Sequence, residues 1–203
     1  MYYLIPKALS SVKSYGLLIT SSTNISFVEG YLDYKKDSKA FVYAKLYDSL
    51  IEGRLALEML KKGMLQNAAS KAFLAVKEAV SALVVKNMSK ILAFKSGKEM
   101  SWYEDVGYSA PTTGLIGISK DLKRLSIDAE LAVKTAMLLH AFSYNGFDPN
   151  FVKYKEEGEV VDDIIEVIEW LASINRYFKE EWDERLEKAR KELEEELKGF
   201  KSE

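Results

Sequence analysis

Residues 67–83, NAASKAFLAVKEAVSAL, decide the fold. Ala68, Ala72, Ala75, Ala79 and Ala82 recur at steps of four and three, with Phe73, Val76, Val80 and Leu83 on the stripe beside them. That is the period of an α-helix with one face made of very small side chains. An alanine seam admits a second backbone at the short end of the usual ~8–10 Å helix separation. The second helix lies just upstream, from about Ser38, where Leu46, Leu50, Gly53, Leu57 and Leu60 keep the same steps. Lys61-Lys62-Gly63 closes it, with cations in the last turn and a glycine just beyond. So short a connection forces the two helices antiparallel. The expected class is all-α: an antiparallel hairpin within an up-and-down bundle, closed by a long C-terminal helix.

Outward from the hairpin the pattern changes. Residues 93–117 carry Ser96-Gly97, Trp102-Tyr103, Gly107 and Pro111-Thr112-Thr113-Gly114, which read as a long connection of a kind that is often functional. A short helical piece is expected around Ser119–Leu125. Ser126, with Asp128 and Glu130 behind it, reads as the N-terminus of the next helix, which runs to about Tyr144 and stops at Asn145-Gly146. From about Glu159 a stripe of Val160, Ile164, Val167, Leu171, Ile174 and Phe178 continues into Trp182, Leu186, Ala189, Leu193, Leu197 and Phe200, with one irregular step after Phe178. It predicts a long amphipathic helix that packs on its own domain or on another chain. At the other end, residues 1–36 are rich in aromatics such as Tyr2, Tyr3, Tyr15 and Tyr31, with turn signals at Ser21–Asn24 and Glu29-Gly30. That stretch fits either a short helix or a small hairpin. The expected division is an N-terminal extension (1–36), a bundle (37–178) and a C-terminal helical extension (179–203).

Composition narrows the chemistry. A length of 203 residues with 48% hydrophobic and 30% charged content describes an ordinary globular chain. With no cysteine there is no disulfide, no thiolate metal site and no cysteine nucleophile. Lys7 and Lys13 interrupt any signal-peptide pattern, and no uncharged run approaches the ~20 residues of a membrane span, so a cytoplasmic protein without membrane contact is expected. The net charge of −2 gives no global pull toward nucleic acid. Residues 61–98 nevertheless hold eight lysines against the single acid Glu78, with no arginine to grip a phosphate bidentately. A solvated helix face accounts for such a segment as well as a phosphate footprint does.

No phosphate-binding loop, dinucleotide fingerprint, nucleophile elbow or paired metal-ligand histidines occur, and neither a cofactor nor a metal is expected. The one histidine, His140, sits among apolar neighbours in Leu138-Leu139-His140-Ala141-Phe142. It reads as a helix-end histidine satisfied by a carbonyl, or as a general acid or base. Lys134 lies six positions upstream, ~9 Å and ~120° away on an ideal helix, so the two converge only with help from another element or chain. Asp162, Glu166 and Glu169 have the spacing to hold a hard cation, but they lie opposite the Val160/Ile164/Val167 stripe, as a solvated face does. Trp102, Tyr103 and Trp182 read as core or loop anchors before they read as base-stacking platforms.

The hairpin, with Glu58–Gly63 leading into Asn67–Ala79, resembles the paired helices of the HEPN superfamily, as does His140-Ala141-Phe142 followed by Gly146-Phe147-Asp148-Pro149. The long insert and tail look most like its archaeal PaREP branch. The likeness covers about residues 40–178. It implies an all-α bundle, a homodimer, and a tie to RNA cleavage or nucleotide-linked defence and toxin–antitoxin systems. Active HEPN ribonucleases are metal-independent and use arginine followed by a polar residue, then histidine. Here His140 matches the histidine and Thr135 the polar residue, while Lys134 stands where arginine is expected. Lysine keeps the charge and loses the forked grip. The expectation is therefore a non-catalytic HEPN-like binding or assembly protein, a homodimer linked to RNA, a nucleotide or a protein partner. The alternative is an endoribonuclease using His140 and Lys134.

Overall fold

The computed structural model describes residues 17–19, 25–27 and 33–201. Helix α1 (Ser38–Lys61) starts where the Asp37 carboxylate accepts the Ala40 N–H at 2.9 Å. It ends at Lys62, and Gly63 turns the chain with a left-handed φ of 69°. Helix α2 (Leu65–Lys86) returns antiparallel, and all five seam alanines are fully buried. Glu78, the lone acid of the lysine-rich segment, crosses to Lys45 of α1 at 2.6 Å, with both side chains largely buried. This pair was not legible in the sequence, because its partner lies 33 residues upstream on the other helix.

The stretch read as a long connection is a packed helical layer: α3 (Met88–Leu92), α4 (Gly97–Asp105), two 3-10 turns (Gly107–Ser109 and Thr112–Gly114) and α5 (Leu115–Arg124). Trp102 is the reason for its glycines. A Cβ on Gly107 would lie 2.7 Å from the indole, and one on Gly114 2.6 Å from it, so the ring is seated against two bare backbones. The Ser81 hydroxyl donates to the Tyr108 carbonyl at 2.7 Å, and Tyr34 stacks on Tyr108 at 4.6 Å. These contacts tie the layer to α2 and to the chain entering α1.

Helix α6 spans Glu130–Asn145 and ends at Gly146, as the sequence indicates. Its start differs. Ser126 takes a left-handed φ of 61° and closes α5, with Ser126 N–H donating to the Lys123 carbonyl and Ile127 N–H to the Leu122 carbonyl. An N-cap needs extended backbone, so Ser126 cannot serve as one. The Tyr177 hydroxyl instead takes the Asp128 N–H, and the Trp170 indole donates to the Asp128 carbonyl at 2.9 Å.

The single long terminal helix is in fact two. Helix α7 (Glu157–Ala172) stops at Ser173, a 3-10 turn covers Ile174–Tyr177, and α8 (Glu184–Lys201) begins after Asp183. The irregular step after Phe178 marks this break. Leu186, Ala189, Leu193 and Leu197 are buried, and a Cβ on Gly53 would meet Ile168, Leu171 and Leu193 at 3.3–3.4 Å. Gly53 therefore faces α7 and α8, not α2, and lets both close on α1. The tail packs on its own domain, held further by Arg54 of α1 bonding Glu192 and Glu196.

Two three-residue strands, β1 (Leu17–Ile19) and β2 (Ile25–Phe27), pair antiparallel in register Leu17↔Phe27. Of the two readings for the N-terminal stretch, this is the hairpin. Tyr2, Tyr3, Tyr15, Tyr31 and the Ser21–Asn24 turn lie outside the described residues.

Candidate functional site on helix α6

Helix α6 is apolar on both sides. Ala132, Val133, Thr135, Ala136, Leu139 and Phe142 are buried in the bundle. Leu131, Leu138 and Tyr144 are 60%, 41% and 77% exposed, and Met137 and Ala141 are half-buried between them. At ~100° per residue these five span about 140° of the helix circumference, with Glu130, Lys134 and Asn145 the polar members of that sector. A helix that is hydrophobic all round is normally covered all round. Just past its end Phe147 and Phe151 are exposed too, at 41% and 65%.

The three residues singled out in the sequence point three ways. Lys134 sits in the outward sector and pairs one turn back with Glu130 at 2.7 Å. Glu130 also takes Lys123 at 2.8 Å, and hydrogen bonds from Lys123 and then Lys134 hold its carboxyl down at about 2. Thr135 is buried toward α7, where its hydroxyl donates to Glu166 at 3.2 Å. His140 turns to α2. Its ring stacks on Phe73 at 4.0 Å and 22°, and Tyr144 meets it edge-on at 5.1 Å. No described residue hydrogen-bonds its ring nitrogens, so the expected carbonyl partner is not there. Burial, and then the Lys77 ammonium, push the His140 pKa below its ordinary value. The cation that His140 meets within its chain is thus Lys77 of α2, which lies 63 positions upstream and gave no local signal. Lys134, Thr135 and His140 do not converge within one chain.

The other candidates are committed elsewhere. Asp162 is exposed, Glu166 takes Thr135, and Glu169 binds Lys201 of α8. No group of metal-ligating side chains occurs among the described residues. Trp102 is seated on its glycines, Tyr103 is buried and donates to Asp121 at 2.7 Å, and the Trp182 indole donates to Glu187 at 2.9 Å. All three are anchors. No helix among the described residues is long and apolar enough to cross a membrane. What sequence reading missed is the outward sector itself, for which the Leu131–Leu138 heptad step and the scarcity of charge along 131–144 are the signal.

Fold and site together define an all-helical bundle protein that leaves one helix half-covered. The chain belongs to the archaeal PaREP1/PaREP8 family, whose model matches residues 44–165, from within α1 to within α7. No curated protein and no solved structure matches it.

Proposed function

We propose that this protein is a non-catalytic helical assembly module of HEPN type, a homodimer joined through the outward sector of α6, that engages RNA, a nucleotide or a protein partner. The observation that carries the reading is the exposure of Leu131, Leu138 and Tyr144 on a helix whose other side is already buried. Contiguous exposed apolar surface marks interaction sites. The HEPN likeness of the hairpin and of His140-Ala141-Phe142 supports the homodimer and the choice of ligands.

Charge on the flanks orients the pair. The sector is bordered by α2, with Lys77, and by α7, with Asp162 and Glu166. A two-fold axis along α6 sets the α2 flank of one copy against the α7 flank of the other. An axis across α6 sets like against like. Complementary charge favours the first arrangement, in which each central residue of α6 faces its own copy. The chain has no cysteine, so single substitutions report on this directly. Under mild oxidation both Lys134→Cys and Ala141→Cys should give disulfide-linked dimers. Failure of both rejects this interface, and linkage of one alone rejects the parallel arrangement.

A second reading has one observation in its favour: the free ring nitrogens of His140 suit a metal-independent endoribonuclease with Lys134 steadying the phosphate. Lys134 would first have to leave Glu130. Cleavage of mixed RNA in chelator that is lost in His140→Ala and raised in Lys134→Arg would establish this reading over the first. No cleavage by either the wild type or Lys134→Arg removes it.

A further inference from the structure

The lysine-rich segment does not act as one surface. Lys71 pairs with Glu52, Lys86 with Glu181, and Lys77 lies by His140. Lys61 and Lys62 are exposed at the turn between α1 and α2, and the rest gathers where the turn after α3 meets α5. Phe94 is exposed there at 37%, with the Lys95 ammonium 5.7 Å and the Arg124 guanidinium 5.5 Å from its ring centroid. Lys90 and Lys98 lie four residues to either side of it in sequence, and Lys120 stands one turn before Arg124 on α5. All three are exposed, and none has a carboxylate within salt-bridge distance among the described residues. Two acids are close. Asp121 is buried and already shared by Tyr103, Lys95 and Arg124, and Glu99 reaches Lys95 at 3.5 Å. The result is a local excess of positive charge around an exposed ring, on a chain whose net charge is negative.

We infer that this patch is a docking site for single-stranded nucleic acid, with Phe94 and the Arg124 plane stacking an unpaired base and Lys90, Lys98 and Lys120 meeting the phosphates on either side. An exposed aromatic among cations suits a strand whose bases are free to stack, and lysine suits sequence-independent contact with the backbone. A duplex hides its base faces, and an acidic peptide without aromatic residues has no flat ring to lay on Phe94. The site rests on the proposed binding role of the protein but not on the α6 dimer. It lies on α3–α5, apart from His140.

Fluorescence anisotropy of the full chain with labelled 20-nucleotide oligo(U) and oligo(dT) tests it, with a blunt duplex and polyglutamate as controls. Both single strands should bind more tightly than either control, and affinity should fall as salt rises. Phe94→Ala should weaken binding roughly 5- to 100-fold, and Phe94→Tyr should keep it, since a ring is retained. Combined Lys90→Ala, Lys98→Ala and Lys120→Ala should lower the salt slope by about 2, for three lost contacts at ~0.7 each. No single-strand binding at low salt overturns the site. So does equal binding of polyglutamate, or a folded Phe94→Ala protein that binds as the wild type does. Loss of binding with the dimer mass intact would tell failure of this site from failure of the α6 interface.

Discussion

Ala75 is fully buried on the alanine seam of α2. Ala75→Leu should overpack the seam and cost about 1–3 kcal/mol, read as a lowered denaturant midpoint at unchanged slope. An unmoved midpoint would refute the close-packed hairpin. His140 makes a different prediction. Its imidazolium is disfavoured in the folded chain, so the unfolded chain binds the extra proton as pH falls below the ordinary value of 6.5. The stability tied to neutral His140 is complete above that value and drains away below it. The melting temperature should therefore drop between about pH 7.5 and 5.5, and drop less in His140→Gln; parallel curves would count against the account. At this scale the sequence was a partial guide. Residue types at Lys134 and His140 suggested chemistry, but their partners, Glu130 and Tyr144 excepted, come from other helices. Glu130 holds Lys134 by an i, i+4 contact that any helical reading contains.

Helices declared themselves where one local period runs uninterrupted, as in α1 and α2, and at Gly63 and Gly146, whose positive φ is a backbone demand visible in the residue type. They were missed where tertiary contacts set the ends. Trp102 shapes the α4–α5 layer by filling space over Gly107 and Gly114, and Ser126 is turned into a helix stop by the geometry of α5. The α7–α8 break falls inside a continuous apolar stripe because both halves bury the same kind of side chain against α1, with Ile174 and Phe178 buried in between. Helix α8 lies wholly on its own subunit in this fold. Removing residues 180–203 should uncover Leu171, Ile168 and Gly53, lower the melting temperature and reduce solubility. A truncated chain that melts with the full-length protein would show the tail to be dispensable.

At the scale of the whole molecule, one bundle face has no cover among the described residues. Elsewhere the apolar stripes are matched: α2 lies under α1, α6 and α7, and α8 closes over α1. Only the outer side of α6 runs apolar into solvent among the described helices, from Leu131 to Tyr144 and on to Phe147 and Phe151. A long apolar face left open has a solubility cost that a second copy removes. Sedimentation equilibrium on the full chain, with Leu138→Lys as the comparison, tests this most directly. The account predicts twice the 23.0 kDa chain mass for the wild type and a shift toward the single-chain mass in the variant, with helicity unchanged. A wild-type protein that sediments at 23.0 kDa throughout the micromolar range, or a Leu138→Lys protein that keeps the doubled mass, would contradict it.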